Sequence, residues 1–104
     1  MIRVDVKRKD DEIVGFHVEG HAGLAEAGSD ILCASVSALV INCVNSIEEF
    51  TDCVIQLEKD EETGMIDFTI DDPTDPKVRL LLESLSLGLS SIAEDFTDDY
   101  ITFH

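Results

Sequence analysis

Ile2-Arg3-Val4-Asp5-Val6-Lys7-Arg8-Lys9-Asp10-Asp11-Glu12-Ile13-Val14-Gly15-Phe16-His17-Val18 is the stretch whose reading decides the fold. Ile2, Val4 and Val6 alternate with Arg3, Asp5 and Lys7, and Val14, Phe16 and Val18 alternate again beyond the charged turn Lys9-Asp10-Asp11-Glu12. Successive side chains of a strand face opposite ways, so this period of two predicts a pair of strands joined as a hairpin, each with one apolar face.

The plan then repeats. Asp30 is a good N-cap, and the run from Ile31 to Phe50 fills a helix whose polar side chains, up to Val44, are only Ser35, Ser37 and Asn42. Such a helix is apolar nearly all round. One sheet face covers one stripe of it, so a second helix, and with it a second copy of the chain, is expected to cover the rest. Cys53, Ile55 and Leu57 alternate with Val54, Gln56 and Glu58, and past Glu61-Glu62-Thr63-Gly64 the residues Ile66, Phe68 and Ile70 alternate with Asp67, Thr69 and Asp71, giving a second hairpin. Asp75 followed by Pro76 supplies a cap and a first-turn proline for a second helix, which runs through Val78, Leu81, Leu82, Leu85, Leu89, Ile92 and Ala93. Tyr100 to Phe103 forms a last short strand. The order ββαββαβ, hairpins without a βαβ rhythm, predicts an α+β fold: a two-layer sandwich of a mainly antiparallel sheet and two packed helices.

The 104 residues, 44% of them hydrophobic, suffice for one core, so residues 1–104 are expected to form a single domain. Twenty-three acidic residues against 7 basic ones leave a formal charge of -16. Phosphate contacts need clustered Lys and Arg, so nucleic acid is excluded as a direct ligand, and a basic partner suits the surface better. Screening over about 8 Å makes this charge a steering force rather than a source of specificity. The three cysteines, Cys33, Cys43 and Cys53, form no CxxC, and their odd number favours a reducing compartment. With neither an apolar leader nor a span long enough for a bilayer, a cytoplasmic location away from membranes is expected.

Chemistry concentrates between Gly20 and Leu39. His21 lies in a stretch, Gly20 to Ser29, that holds three glycines and three alanines, and Cys33 follows at the start of the first helix. The thiolate is the nucleophile, and a helix N-terminus with a nearby imidazolium favours it. With Asp30 as cap, Cys33 falls at the third helical position, among unpaired backbone N–H groups suited to an oxyanion. Asp30 and the acidic chain oppose ionisation, so the protonated His21 is needed to secure the ion pair. Ser37 is one turn beyond Cys33 on the same face, where its hydroxyl reaches the sulfur or the imidazole. Asp30 caps the helix, orients His21, or does both. On spacing alone Cys33 is equally a small buried hydrophobe, the reading that suits Cys43 and Cys53. His17 and His104 show no partner pattern. A metal at His21, Asp30 and Cys33 lacks a fourth ligand of recognisable spacing, and Gly20, Gly23 and Gly28 form no phosphate loop, so neither metal nor cofactor is expected.

Gly20-His21-Ala22, followed by Gly28-Ser29-Asp30-Ile31-Leu32-Cys33-Ala34-Ser35-Val36-Ser37, resembles the signature of the ribosomal-processing cysteine protease family called Prp. The resemblance implies an endopeptidase that removes the N-terminal extension of large-subunit ribosomal protein twenty-seven. It implies that His21 and Cys33 are catalytic, that Gly20, Asp30 and Ser37 support them, that a flexible loop at 22–29 closes over substrate, and that two copies form a homodimer. It also implies a substrate apolar in its extension, ending in aromatic residues before a basic ribosomal sequence. The competing reading is a non-catalytic acidic module that binds basic ribosomal proteins or assembling subunits. A hydrolase of small thioesters, or a redox-sensing thiol, is a third.

Overall fold

The computed structural model describes residues 2–20, 29–95 and 101–103, with side-chain surroundings for 2–20, 32–95 and 101. Strands β1 (Ile2–Lys9) and β2 (Glu12–Glu19) precede helix α1 (Ser29–Phe50). Strands β3 (Ile55–Asp60) and β4 (Met65–Ile70) precede helix α2 (Pro76–Asp95), and β5 (Ile101–Phe103) comes last. The sheet order is β3-β4-β2-β1-β5. All pairings are antiparallel except β1 with β5, which is parallel. The expected order and two-layer plan stand. Of the expected last strand, Tyr100 lies outside the described residues.

The first hairpin turns in two residues. Asp10 and Asp11 have φ of 52° and 68°, and a two-residue loop with both angles positive matches the right-handed twist of the strands it joins. Aspartate tolerates this left-handed region better than most side chains. The predicted alternation of β2 needs one correction. Lys7 pairs with Gly15 and Arg8 with Ile13, so Val14 is an extra residue that bulges the strand. The bulge resets the phase: Ile13 is buried and Val14 only half-buried, while Phe16 and Val18 keep the inward face expected of them.

The core lies between the sheet and the two helices. From the sheet come Ile2, Val4, Phe16, Val18, Ile66, Phe68 and Ile70. Phe16 and Phe68 are cross-strand partners whose rings stack with centroids 5.8 Å apart. Helix α1 contributes Leu32, Val36, Val40, Val44 and Ile47, and α2 contributes Val78, Leu82, Leu85 and Leu89. Asp75 caps α2 as expected: its Oδ1 accepts from the Lys77 amide at 2.8 Å, and its carbonyl accepts from the Arg79 amide at 3.0 Å.

Helix α1 departs from expectation in two ways. It already includes Ser29 and Asp30, so Asp30 is a first-turn residue rather than the cap. As far as Asn45 its uncovered side is small and polar, with Ala34, Ser37, Ala38, Asn42 and Asn45 exposed, because α2 and the sheet between them take up the large apolar groups there; Phe50, at the C-terminal end, is 65% exposed. The helix therefore does not by itself demand a second copy. Cys53 also stands outside β3, which begins at Ile55.

Two glycines permit the close approaches. A Cβ on Gly15 would stand 2.1 Å from the Phe68 carbonyl oxygen, and one on Gly88 would stand 3.0 Å from Leu39 Cδ1 where α2 meets α1. The outer sheet face is polar. Asp67 on β4 accepts from Lys7 Nζ at 2.5 Å and pairs with His17 Nδ1 at 2.7 Å, and Lys7 also donates to Thr69 Oγ1 at 3.0 Å. Burial by itself would raise the Asp67 carboxyl, but the hydrogen bonds and charges of Lys7 and His17 outweigh it and hold the group below its ordinary range.

Two outcomes are expected. Gly15→Ala forces β2 from β4 and lowers stability by roughly 3 kcal/mol, the upper end of overpacking costs, seen as a drop in Tm. Asp67→Asn costs about 1–2 kcal/mol at neutral pH. Because the folded carboxyl titrates lower than the unfolded one, the wild-type advantage is complete above about pH 4. It is lost as pH falls through the folded value, so denaturant curves of the two proteins converge in acid.

Candidate active site

The ends of four strands and the first half of α1 frame a cleft of about 330 Å³. Ile2 opens β1, Val18 lies at the end of β2 with Gly20 just beyond it, Met65 and Ile66 open β4, and Lys59 and Asp60 end β3, so the antiparallel register gathers all of them at one edge of the sandwich. Helix α1 supplies the facing wall with Cys33, Val36, Ser37 and Ile41. The floor is apolar, and Lys59, Asp60 and Glu61 put charge at its β3–β4 side.

Cys33 reaches this wall through helix phase. Leu32, Val36 and Val40 recur at every fourth residue and point into the core. The next residue in each case, Cys33, Ser37 and Ile41, is turned about 100° around the axis and lies along the cleft. Cys33 is half-buried against the core, and Ser37 is exposed one turn further along. The predicted pairing of these two on one face is what the structure holds. The earlier start of α1 changes the backbone chemistry. Cys33 is the fifth helical residue, so the helical ladder engages its amide and that N–H is not the oxyanion donor expected of it. Helix geometry gives the amides of Ser29, Asp30 and Ile31 no partner within the helix.

Gly20 follows β2 with φ of 96°, a conformation that glycine alone adopts readily. Its amide donates to the Thr63 carbonyl at 2.9 Å, fastening the start of the next segment to the β3–β4 turn. His21 and residues 22–28 of the expected loop lie outside the described residues, as do the side chain of Asp30 and the whole of His104.

The other two cysteines have different surroundings. Cys43 is buried, its Sγ directed to the Leu81 carbonyl at 3.6 Å, and burial pushes its thiol up to about 12. Cys53 is half-buried rather than a core residue, with Sγ 3.3 Å from Asp71 Oδ1, and burial is the first cause of its raised value. None of the three is in a disulfide. His17, for which the sequence offered no partner, is held by Asp67 on the far side of the sheet. The β3–β4 residues of the cleft were also not foreseen. Gly64, with φ of 69°, was read only as part of a turn.

A family model described as cysteine protease Prp matches residues 1–102. The ribosomal processing cysteine protease Prp of Bacillus subtilis is 33% identical over 104 residues, covering 95% of this chain and 93% of that protein. The ribosomal processing protease Prp of Staphylococcus aureus, solved in complex with a substrate peptide, superposes with a TM-score of 0.90 at 27% identity, covering 100% of this chain and 98% of that one. The same protease with a covalently linked product peptide gives a TM-score of 0.88 at 28% identity, with the same coverage. Matching nearly end to end in sequence and throughout in fold, the chain belongs to the cysteine protease Prp family and is a cysteine protease.

Proposed function

We propose that this protease removes the N-terminal extension from the precursor of large-subunit ribosomal protein twenty-seven, with Cys33 as nucleophile and His21 as proton carrier. The observation that carries the reading is the position of Cys33 on the wall of an apolar cleft, at the start of a long helix. Relatives named for ribosomal processing support the substrate, and the covalently linked product peptide of the Staphylococcus aureus relative supports a covalent route.

In this reaction the Cys33 thiolate bonds to the carbonyl carbon of the scissile peptide. His21, as imidazolium, then gives its proton to the departing amine, leaving the acyl group on sulfur. His21 next takes a proton from water, which attacks the thioester. The C–S bond breaks, the carboxylic acid leaves, and the thiolate–imidazolium pair is restored. Ser37 offers a hydroxyl on the same wall for the substrate or the imidazole. Asp30, in the first turn, orients the histidine or favours the helix start through its charge. Gly20 sets the direction in which the chain leaves β2.

The substrate expected from the resemblance fits the cleft. Ile2, Val18, Val36, Ile41, Met65 and Ile66 take apolar side chains, while Asp60, Glu61 and the charge of -16 attract a basic segment. The same reading includes a homodimer, supported by Leu80 and Leu87, 71% and 69% exposed on α2. It also includes the cytoplasm, supported by three cysteines outside any disulfide.

Incubation with the precursor and mass spectrometry of the products tests the reading. Cys33→Ala abolishes cleavage while leaving precursor binding nearly intact, and His21→Ala slows cleavage at least about a hundredfold, the low end of what general acid–base catalysis supplies. Equal processing by Cys33→Ala would favour the acidic binding module instead. Alkylation at neutral pH, followed by peptide mapping, is expected to mark Cys33 and stop cleavage while the buried Cys43 stays unmodified until the protein unfolds.

A further inference from the structure

We infer that the helix-side face of β3, centred on Leu57, is an extended substrate subsite continuous with the Cys33 cleft. This deepens the proteolytic reading and rests on it.

Directly opposed residues of neighbouring strands point to the same face. Ile55 pairs with Ile70, Leu57 with Phe68, and Lys59 with Ile66. The three β4 partners are core residues, 5%, 0% and 8% exposed, and α1 lies over β4. Their β3 counterparts face the same helix layer yet stay open: Leu57 is 38% exposed, Lys59 is exposed and Ile55 is half-buried. The helix layer among the described residues stops one strand short of the sheet edge. What remains is a ledge beside α1, apolar at Leu57 and Ile55.

The ledge runs into the cleft. Lys59 lines the cleft, Ile41 lines it from the α1 side, and Leu57 is the next residue inward on the face that Lys59 shares. Steps of two residues along a strand advance about 6.6 Å, so Lys59, Leu57 and Ile55 span roughly 13 Å. That is the length of about four residues of an extended peptide. A peptide whose scissile bond sits at Cys33 has further residues that need a surface, and this open face presents its own side chains at the same two-residue spacing. The occupant is therefore the extended substrate peptide, with an apolar side chain over Leu57.

The test is steady-state kinetics on a substrate peptide of six residues either side of the cleaved bond, and on versions shortened one residue at a time from each end. Leu57→Asp is expected to raise KM for the full-length peptide roughly tenfold, within the worth of one buried leucine contact, with kcat little changed. Leu57→Met is expected to restore it. The penalty disappears once one end has been shortened past the residue that meets Leu57, and shortening the other end leaves it in place. Thermal unfolding and the fraction of Cys33 open to alkylation confirm that each variant is folded. A KM penalty of equal size for every length, or no penalty, overturns the subsite while leaving the protease reading intact. Failure of the wild-type enzyme to cut any of the peptides overturns that reading and the subsite with it.

Discussion

The phase of α1 against the sheet is the constraint on which the site depends. Leu32, Val36, Val40, Val44 and Ile47 are all but fully buried, and a helix anchored by five such residues has no freedom to roll. Fixing that stripe fixes the neighbouring column, so Cys33, Ser37 and Ile41 face the cleft as a consequence of core packing. A roll by one residue would carry the thiol into the core, where Cys43 shows what happens: burial penalises the thiolate and the proton stays on to a pH of about 12. Helix geometry thus separates the two cysteines of α1, with Cys33 at the margin of the core along the cleft and Cys43 held inside the core, while Cys53 lies beyond the helix and away from the cleft.

The sheet beneath is equally constrained by close approach. At Gly15 the β2 backbone meets the Phe68 carbonyl with no room for a side chain, and at Gly88 the two helices meet over Leu39. The first contact sets the spacing of β2 and β4, across which Phe16 and Phe68 stack, and the second sets the spacing of the two helices. On the opposite face Asp67 joins Lys7 of β1 and His17 of β2 to β4, so three strands are tied by one carboxylate. Those ties hold the middle of the sheet. The ends of the same strands, Ile2, Val18 and Ile66, are left to form the cleft floor.

Much of this was legible in the chain, for stated physical reasons. Strict alternation in β1 and β4, the Asp75-Pro76 start of α2 and the period of its leucines each reflect local geometry that a sequence carries directly. The bulge at Val14 was not legible, because one extra residue leaves the composition of a strand unchanged while inverting the faces on its far side. The start of α1 was misplaced by two residues, since Ser29 and Asp30 are both residue types that favour a helix start. That shift moves Cys33 deeper and removes its amide as an oxyanion donor. The His17–Asp67 pair and the Lys59–Met65 side of the cleft are products of strand register, which links residues fifty positions apart and leaves no mark on either segment alone. Cys33 and Ser37 were legible because four-residue spacing on one helix is local.

The edge strand shows how this register serves function and solubility together. An uncovered sheet edge with apolar residues invites pairing with another chain, and charged side chains along such an edge discourage it. In β3, Glu58, Lys59 and Asp60 are all exposed, as is the polar Gln56. With a chain charge of -16, the approach of a second acidic β3 is opposed by repulsion, whereas a peptide with a basic segment is drawn in. Gln56 and Glu58 alternate with Ile55 and Leu57, so the polar residues and the open apolar ones occupy opposite faces along this part of the strand, while Lys59 and Asp60 carry charge into the cleft at its end. From Ile55 to Glu58 the pleat separates the apolar surface open to a peptide from the charge that discourages pairing, and at Lys59 and Asp60 the same charges border the cleft.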